Sequence, residues 1–314
     1  MENKTTIYHK PVLLRETISN LITDKNGIYV DCTLGGGGHT NEILKQLSQN
    51  GKVIAIDRDE DAIKFVKTEF VYWINKGQLI IVKSKFQNIV NVLNENNISK
   101  VNGVVADLGV SSFQIESSER GFSYLHQSEL DMRMDKSQPI NAKDIVNNYS
   151  QEKLVEIFFK YGEEPFSKRI ARKIFETRSI SKIEKVNDLI SVIEKCYKGK
   201  HLIKCISRIF QAIRIEVNKE LDELINLLEF SKNILLPKSR IAIISYHSLE
   251  DRIVKQFFVN NSKNYERSSH KLIPNKIIEP IFNLLTKKPI IPSEEEVKNN
   301  KRSRSAKLRI AEKN

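Results

Sequence analysis

The chain has 314 residues, 40% of them hydrophobic and 29% charged, a balance ordinary for globular proteins and a length sufficient for one large domain with an insertion or for two domains. It contains no low-complexity tract or internal repeat, Met1 to Thr6 are polar, and no apolar run approaches membrane-spanning length; neither signal peptide nor membrane helix is predicted, and a soluble cytoplasmic protein is expected. The net charge of +12 favours a polyanionic partner such as nucleic acid, although a merely solvated lysine-rich surface gives the same balance.

In chain order, Gly27 precedes Ile28-Tyr29-Val30-Asp31, a β-branched and aromatic run that predicts a strand. Four glycines, Gly35 to Gly38, follow, and Glu42, Ile43, Leu44 and Leu47 then predict a helix that Gly51 ends. Lys52 to Asp57 is a second buried-type strand, followed by a helix carrying Ala62, Ile63, Phe65 and Val66. Residues 78–82 and 103–107 give a third and fourth strand. Apolar strands alternating with helices predict a doubly wound α/β fold with a parallel sheet. From about Ile140 the pattern is helical only. Leu154, Ile157, Phe158 and Tyr161 form one apolar stripe, and the groups Val186 to Tyr197, Ile206 to Val217 and Leu221 to Leu228 repeat its spacing. Arg240 to Ser245 returns to a buried strand, so a helical domain is predicted to be inserted in the α/β domain, over 139–207, with 1–138 and 208–314 forming the discontinuous remainder.

Cys32, Cys196 and Cys205 are odd in number and include no C-x-x-C pair, which argues against a disulfide framework and a structural zinc site. Cys196, His201 and Cys205 share a helical stretch and are read as packed side chains, with no metal expected. Lys301 to Arg309 carries five basic residues in nine and is expected to contact phosphate rather than to be a solvated tail.

A strand-to-helix turn in such a sheet lies where ligands bind, and glycines there expose bare backbone beside the unpaired N–H groups of the helix start. Thr40 and Asn41 occupy the positions where G-x-G-x-x-G requires its third glycine, and the Gly-Lys-Ser/Thr of a P-loop is absent, so neither a dinucleotide pyrophosphate nor a triphosphate is the expected guest. Asp57, about twenty residues beyond the turn, stands where a carboxylate accepts from ribose hydroxyls. A ribose-bearing ligand whose charge is not a phosphate describes S-adenosylmethionine. Asp107, ending the fourth strand on the same sheet edge, stands where an acceptor is wanted beside an exocyclic base nitrogen, whose lone pair is otherwise delocalised into the ring; it is the catalytic candidate.

Long motifs then accumulate. They begin with His9-x-Pro11-Val12-Leu13-Leu14-x-Glu16, Asp31-x-Thr33-x-Gly35-x-Gly37-Gly38-His39, Ala55-Ile56-Asp57-Arg58-Asp59 and Asp107-Leu108-Gly109-Val110-Ser111-Ser112 with Gln114. Glu119-Arg120-Gly121-Phe122-Ser123, Leu130-Asp131-Met132-Arg133-Met134-Asp135, Gln211-Ala212-x-Arg214-Ile215-x-Val217-Asn218-x-Glu220-Leu221, Ser245-x-His247-Ser248-Leu249-Glu250-Asp251-Arg252 and Arg302 to Arg309 follow. Over residues 9 to 310 the chain resembles the bacterial ribosomal RNA small subunit methyltransferase H family.

The resemblance implies a Rossmann-like class I methyltransferase domain with a helical insertion, S-adenosylmethionine as cofactor, and methylation of N4 of a cytidine in the decoding region of 16S rRNA. Carried over by motif, it implies cofactor contacts at Gly37, Gly38 and His39, at Asp57 on the ribose, at Phe86 beside the adenine, and at Asp107 and Gln114, while Gly35 and Gly36 shape the turn. His247 and Arg133 are further candidates for handling the base or a phosphate. Two positions depart from the family pattern: Phe113 stands where proline is usual, and Tyr246 in Ser-x-His-Ser is a conservative aromatic change. The competing readings are a methyltransferase acting on DNA or protein, an NAD-dependent oxidoreductase, which Thr40 and Asn41 disfavour, and a non-catalytic RNA-binding module.

Overall fold

The structure, a computed structural model, describes residues 11–197, 199, 201–266 and 276–314; His9 and the polar opening lie outside the described residues. Two compact units are present, Met1–Gly109 with Asp222–Asn314, and Val110–Leu221.

The first unit is built on a seven-stranded sheet. Its strands are β1 (Ile28–Asp31), β2 (Lys52–Asp57), β3 (Leu79–Lys83), β4 (Val101–Asp107), β5 (Leu235–Ser245), β8 (Phe282–Leu284) and β9 (Lys307–Lys313), while β6 (Tyr265–Glu266) and β7 (Lys276–Ile277) pair only with each other. The order is β3-β2-β1-β4-β5-β9-β8, with β1 to β5 parallel and β9 running antiparallel between β5 and β8. The near-continuous apolar strands predicted for a parallel sheet follow from burial of both faces. Alternate residues serve opposite sides. Val30, Ile54, Ile56, Val104, Ile241 and Ile243 pack with side chains of α5 (Ile89–Glu95), α12 (Glu220–Ile234) and α13 (Ser248–Asn261). Tyr29, Val53, Ala55, Val105, Ala242 and Ile244 pack with side chains of α1 (Leu14–Leu21), α2 (Gly38–Gln46) and α3 (Glu60–Glu69). The short α4 (Val71–Asn75) follows α3, and α14 (Glu294–Asn299) precedes β9.

Gly103 in β4 is required by its neighbour: a Cβ there would sit 2.7 Å from the Tyr29 ring. Tyr29 is fully buried, and its hydroxyl group accepts from the Thr23 and Asp24 N–H groups and donates to the Asp24 carbonyl at 2.9 Å.

The basic segment near the C-terminus is only partly a surface feature. Residues 307–313 form β9, with Leu308 and Ile310 fully buried, and Lys307 and Arg309 pair with Asp251 of α13 at 3.1 and 2.7 Å. Alternation of charged and apolar residues here is the period of a strand rather than of a solvated tail.

The second unit is helical: α6 (Ser112–Glu116), α7 (Ala142–Asn148), α8 (Gln151–Lys160), α9 (Ser167–Arg178), α10 (Val186–Cys196) and α11 (Leu202–Asn218), with α12 beginning at its boundary. It is larger than the 139–207 expected from sequence. Leu130, Met132 and the α11 residues Ile209 to Val217 share its core, and the fully buried Asn218 amide donates to the Met132 carbonyl and accepts from Met134 N–H, both at 2.8 Å. Helical periodicity marks helices but not the irregular segment that packs against them, and the unit extends beyond 139–207 at both ends. Cys196 and Cys205 are buried in this core. Among the described residues no helix is long and apolar enough to cross a membrane.

Gly103→Ala is expected to destabilise the chain by about 1–3 kcal/mol, because the added methyl group overpacks against Tyr29 and Leu21 inside a sheet that cannot relax. Urea unfolding monitored by circular dichroism measures the loss.

Candidate active site

At the carboxyl end of β1 the chain turns through residues 32–37 into α2. Asp31, 1% exposed, organises that turn: it accepts from Thr33 N–H at 3.1 Å and from the Thr40 hydroxyl at 2.7 Å. Thr40, which replaces a dinucleotide-binding glycine, therefore has a specific role. Burial raises the Asp31 pKa above the ordinary carboxylate value, and its hydrogen bonds oppose that shift. Gly35 and Gly37 have positive φ, +48° and +77°. Gly37 also closes the turn, donating to the Leu34 carbonyl at 2.7 Å and accepting from Asn41 N–H at 2.8 Å. A Cβ on Gly37 would lie 2.7 Å from Phe70, and one on Gly38 would lie 2.9 Å from Pro11. Packing thus supplies a reason for both glycines, in addition to any ligand approach.

Asp57 ends β2 beside this turn. Its Oδ2 accepts from Gly35 N–H at 2.7 Å and its Oδ1 from Asp59 N–H at 2.8 Å, so the carboxylate holds the glycine turn against the sheet edge. Burial raises its pKa to about 6, partly offset by the two N–H groups. Each oxygen retains a second lone pair for a ligand hydroxyl. Phe86 follows β3, 8% exposed, with the Arg58 guanidinium 5.8 Å from its ring centroid; Arg58 in turn pairs with the buried Glu223.

Asp107 ends β4. Its backbone N–H donates to the Thr33 hydroxyl at 2.7 Å, tying the β4 edge to the β1 turn, and its Oδ1 accepts from the Tyr246 hydroxyl at 2.7 Å. Oδ2 lies 4.0 Å from Nδ1 of His39 in α2. His39 Nε2 is 3.2 Å from the Val12 carbonyl, which can only accept, so Nε2 carries the hydrogen. Burial lowers the histidine pKa to about 4, leaving the ring neutral with its Nδ1 lone pair toward Asp107. Two acceptors therefore face one another across 4.0 Å, an arrangement completed by an N–H donor. Asp107 is pushed up to about 7, first by burial and then by the charges of Asp31, Glu250 and Glu296, while the Tyr246 hydrogen bond pulls the other way.

The structure thus brings Gly37, Gly38, His39, Asp57, Phe86 and Asp107 to one edge of the first unit's sheet. Gln114 belongs to the second unit, where it is the third residue of α6: Ser111 N–H donates to its Oε1 at 3.0 Å and Gln114 N–H donates to Ser111 Oγ at 3.2 Å. Phe113 sits inside this capped helix, so the replacement of proline leaves α6 formed. Arg133 is engaged within its own loop. It binds Asp131 at 2.8 and 2.7 Å and the Lys136 and Gln138 carbonyls at 3.0 and 2.8 Å, contacts that brace the loop. His247 caps α13 in a reciprocal arrangement with Glu250. The hydroxyl contacts of Thr33, Thr40 and Tyr246 are not signalled by sequence: nothing in the spacing of Thr33 announces a hydroxyl bridging β1 and β4.

A sheet with five parallel strands, a reversed β9 between β5 and β8, and carboxylates at the ends of β1, β2 and β4 defines the Rossmann-like methyltransferase fold. The chain matches the model of the MraW methylase family over residues 6–314, and it belongs to that family. It is 46% identical over 315 residues, 97% of this chain and 98% of the relative, to the ribosomal RNA small subunit methyltransferase H of Finegoldia magna. Among solved structures it is similar to an rRNA methylase from Streptococcus thermophilus, 12% identical, covering 96% of this chain and 93% of that one with a TM-score of 0.40. It is also similar to TrmN from Thermus thermophilus, 9% identical, covering 96% and 48% with a TM-score of 0.42.

Because Asp107 titrates near 7 when folded and near 3.8 when unfolded, protonation favours the native state, and this contribution, complete below the unfolded value, is lost as pH rises through about 7. Asp107→Asn cannot ionise. Relative to wild type, its melting temperature in cofactor-free protein is expected to be at least about 2 °C more favourable at pH 8 than at pH 4.5, measured by scanning calorimetry. An offset equal at both pH values would show that the carboxylate is not charged at a cost.

Proposed function

We propose that this protein uses S-adenosylmethionine to methylate N4 of a cytidine in the decoding region of 16S ribosomal RNA, in the cytoplasm. The observation that carries this reading is the acceptor pair of His39 Nδ1 and Asp107 Oδ2, 4.0 Å apart on a sheet edge that also holds the Asp31 and Asp57 carboxylates. An edge so rich in carboxylates repels a pyrophosphate and suits a ligand that carries ammonium and sulfonium charge together with ribose hydroxyls. S-adenosylmethionine has that chemistry, and membership of a methylase family calls for a methyl donor.

In this reading the Asp57 carboxylate, braced by Gly35 and Asp59, accepts from the ribose hydroxyls, and the Phe86 ring lies beside the adenine. Gly37, Gly38 and His39 line the glycine turn, and Asp107 and Gln114 are cofactor contacts by their motif. Bound S-adenosylmethionine would supply an electrophilic methyl group. Asp107 accepts a hydrogen bond from the amine that is to be methylated; this turns the nitrogen lone pair out of conjugation with the ring and toward that methyl group. Burial of Asp107 keeps the local dielectric low, which strengthens that orientation. The target base must be unstacked to reach the edge, and the chain's charge of +12 supplies attraction to the RNA backbone. The name of the Finegoldia magna relative, at 46% identity, supports ribosomal RNA as the substrate class.

Purified protein given methyl-labelled S-adenosylmethionine and small-subunit RNA from cells lacking the gene, free or assembled, is expected to yield N4-methylcytidine on nucleoside mass spectrometry. Normal cofactor binding with unlabelled cytidine in every assembly state would refute the substrate. Asp57→Ala, which removes both the ribose acceptor and the brace of the glycine turn, is expected to weaken cofactor binding about 10- to 100-fold by calorimetry.

A further inference from the structure

Tyr246 lies just beyond β5, in the motif position that departs from the family pattern. In the parallel pairing of β4 with β5, Asp107 stands opposite Ile244, so the residue two further on lies above the Asp107 carboxylate on the same face of the sheet. The backbone of Tyr246 is held there by α13: its N–H donates to Glu250 Oε2 at 2.8 Å. Gly109 lies beneath the ring, where a Cβ would be 3.8 Å from Tyr246 Cδ2. The ring is therefore fixed by packing and by its own backbone, independently of its hydroxyl.

That hydroxyl meets Asp107 Oδ1 at 2.7 Å. Burial and the neighbouring Asp107 charge raise the tyrosine well above its ordinary value, so the phenol keeps its proton and is the donor. The groups facing Asp107 come from every neighbouring element: Asp31 from β1, His39 from α2, Glu250 from α13 and Glu296 from α14. His39 is neutral and the three acids repel a second negative charge, so this environment pushes a proton onto Asp107. A protonated Asp107 would have one oxygen converted to a donor and would no longer offer two acceptors. The Tyr246 hydroxyl opposes that outcome, because a hydrogen bond donated to a carboxylate favours its ionised form.

We propose that Tyr246 is a positioning residue: its hydroxyl engages Oδ1 of Asp107, keeping the carboxylate ionised and in one orientation, so that Oδ2 is presented beside His39 Nδ1 to an N–H donor of the bound ligand. The inference rests on the reading of Asp107 as an acceptor at the methyl-transfer site. It assigns a function to a side chain whose aromatic ring alone would satisfy the packing.

Tyr246→Phe keeps the ring and removes the hydroxyl. In the full chain with aspartate carboxyl carbons labelled with carbon-13, the Asp107 resonance, assigned by its loss in Asp107→Asn, is expected to titrate about one pH unit higher in Tyr246→Phe than in wild type, a roughly tenfold change in the ratio of ionised to protonated carboxyl at a given pH. S-adenosylmethionine binding at pH 7 is expected to weaken several-fold and to recover at pH 9, and removal of the hydroxyl in an Asp107→Asn background to add no further loss. An Asp107 midpoint unchanged by Tyr246→Phe overturns the proposal, because a purely structural hydroxyl alters stability without moving that midpoint. A raised midpoint in a protein that methylates no ribosomal RNA supports the role of Tyr246 while refuting the substrate, so the two failures are told apart.

Discussion

Burial of three aspartates at the carboxyl ends of β1, β2 and β4 is the constraint around which the first unit's functional edge is arranged. An ionised carboxyl taken from water is costly unless donors surround it, and the three sites differ in how far that need is met. Asp31 is answered by Thr33 and Thr40, and Asp57 by the backbone of Gly35 and Asp59. Asp107 has Tyr246 on one oxygen and the Nδ1 lone pair of His39 opposite the other. The first two carboxylates thereby build the turn. The third is left partly unsatisfied, and that deficit is what a ligand N–H can relieve.

The same accounting separates two electrostatic tasks. The chain as a whole is strongly basic, yet the sheet edge that holds the glycine turn is acidic. A cationic small molecule and a polyanionic macromolecule are attracted by opposite fields, and one protein that engages both must keep those fields apart. Part of the basic charge near the C-terminus is absorbed internally, since Lys307 and Arg309 pair with Asp251 and thereby fasten β9 to α13.

Much of the fold was legible in the sequence because parallel strands buried on both faces leave little choice of residue. The runs at 28–31 and 52–57 emerge as β1 and β2 with those limits, and the helical stripes beginning at Leu154, Val186, Ile206 and Leu221 all form helices. The extent of the helical unit was less legible. Leu130 and Met132 lie in a segment without helical period, and their membership of its core depends on contacts with residues far along the chain. Arg133 looked available for a phosphate because spacing cannot show that Asp131 and two carbonyls already surround it.

Local sequence by itself determined the alternation of strands and helices, the placement of a glycine turn after β1, and the acidic residues at strand ends, since each depends on the period and chemistry of a few adjacent residues. Only the tertiary structure decided what those residues do. Gly37 and Gly38 pack against Phe70 and Pro11, Asp57 braces the glycine turn through Gly35, and the conservative-looking Tyr246 reaches Asp107 across 139 positions of sequence. Hydrogen bonding and desolvation depend on what the fold brings within about 3 Å, and pairing of β4 with β5 joins residues that no local pattern connects.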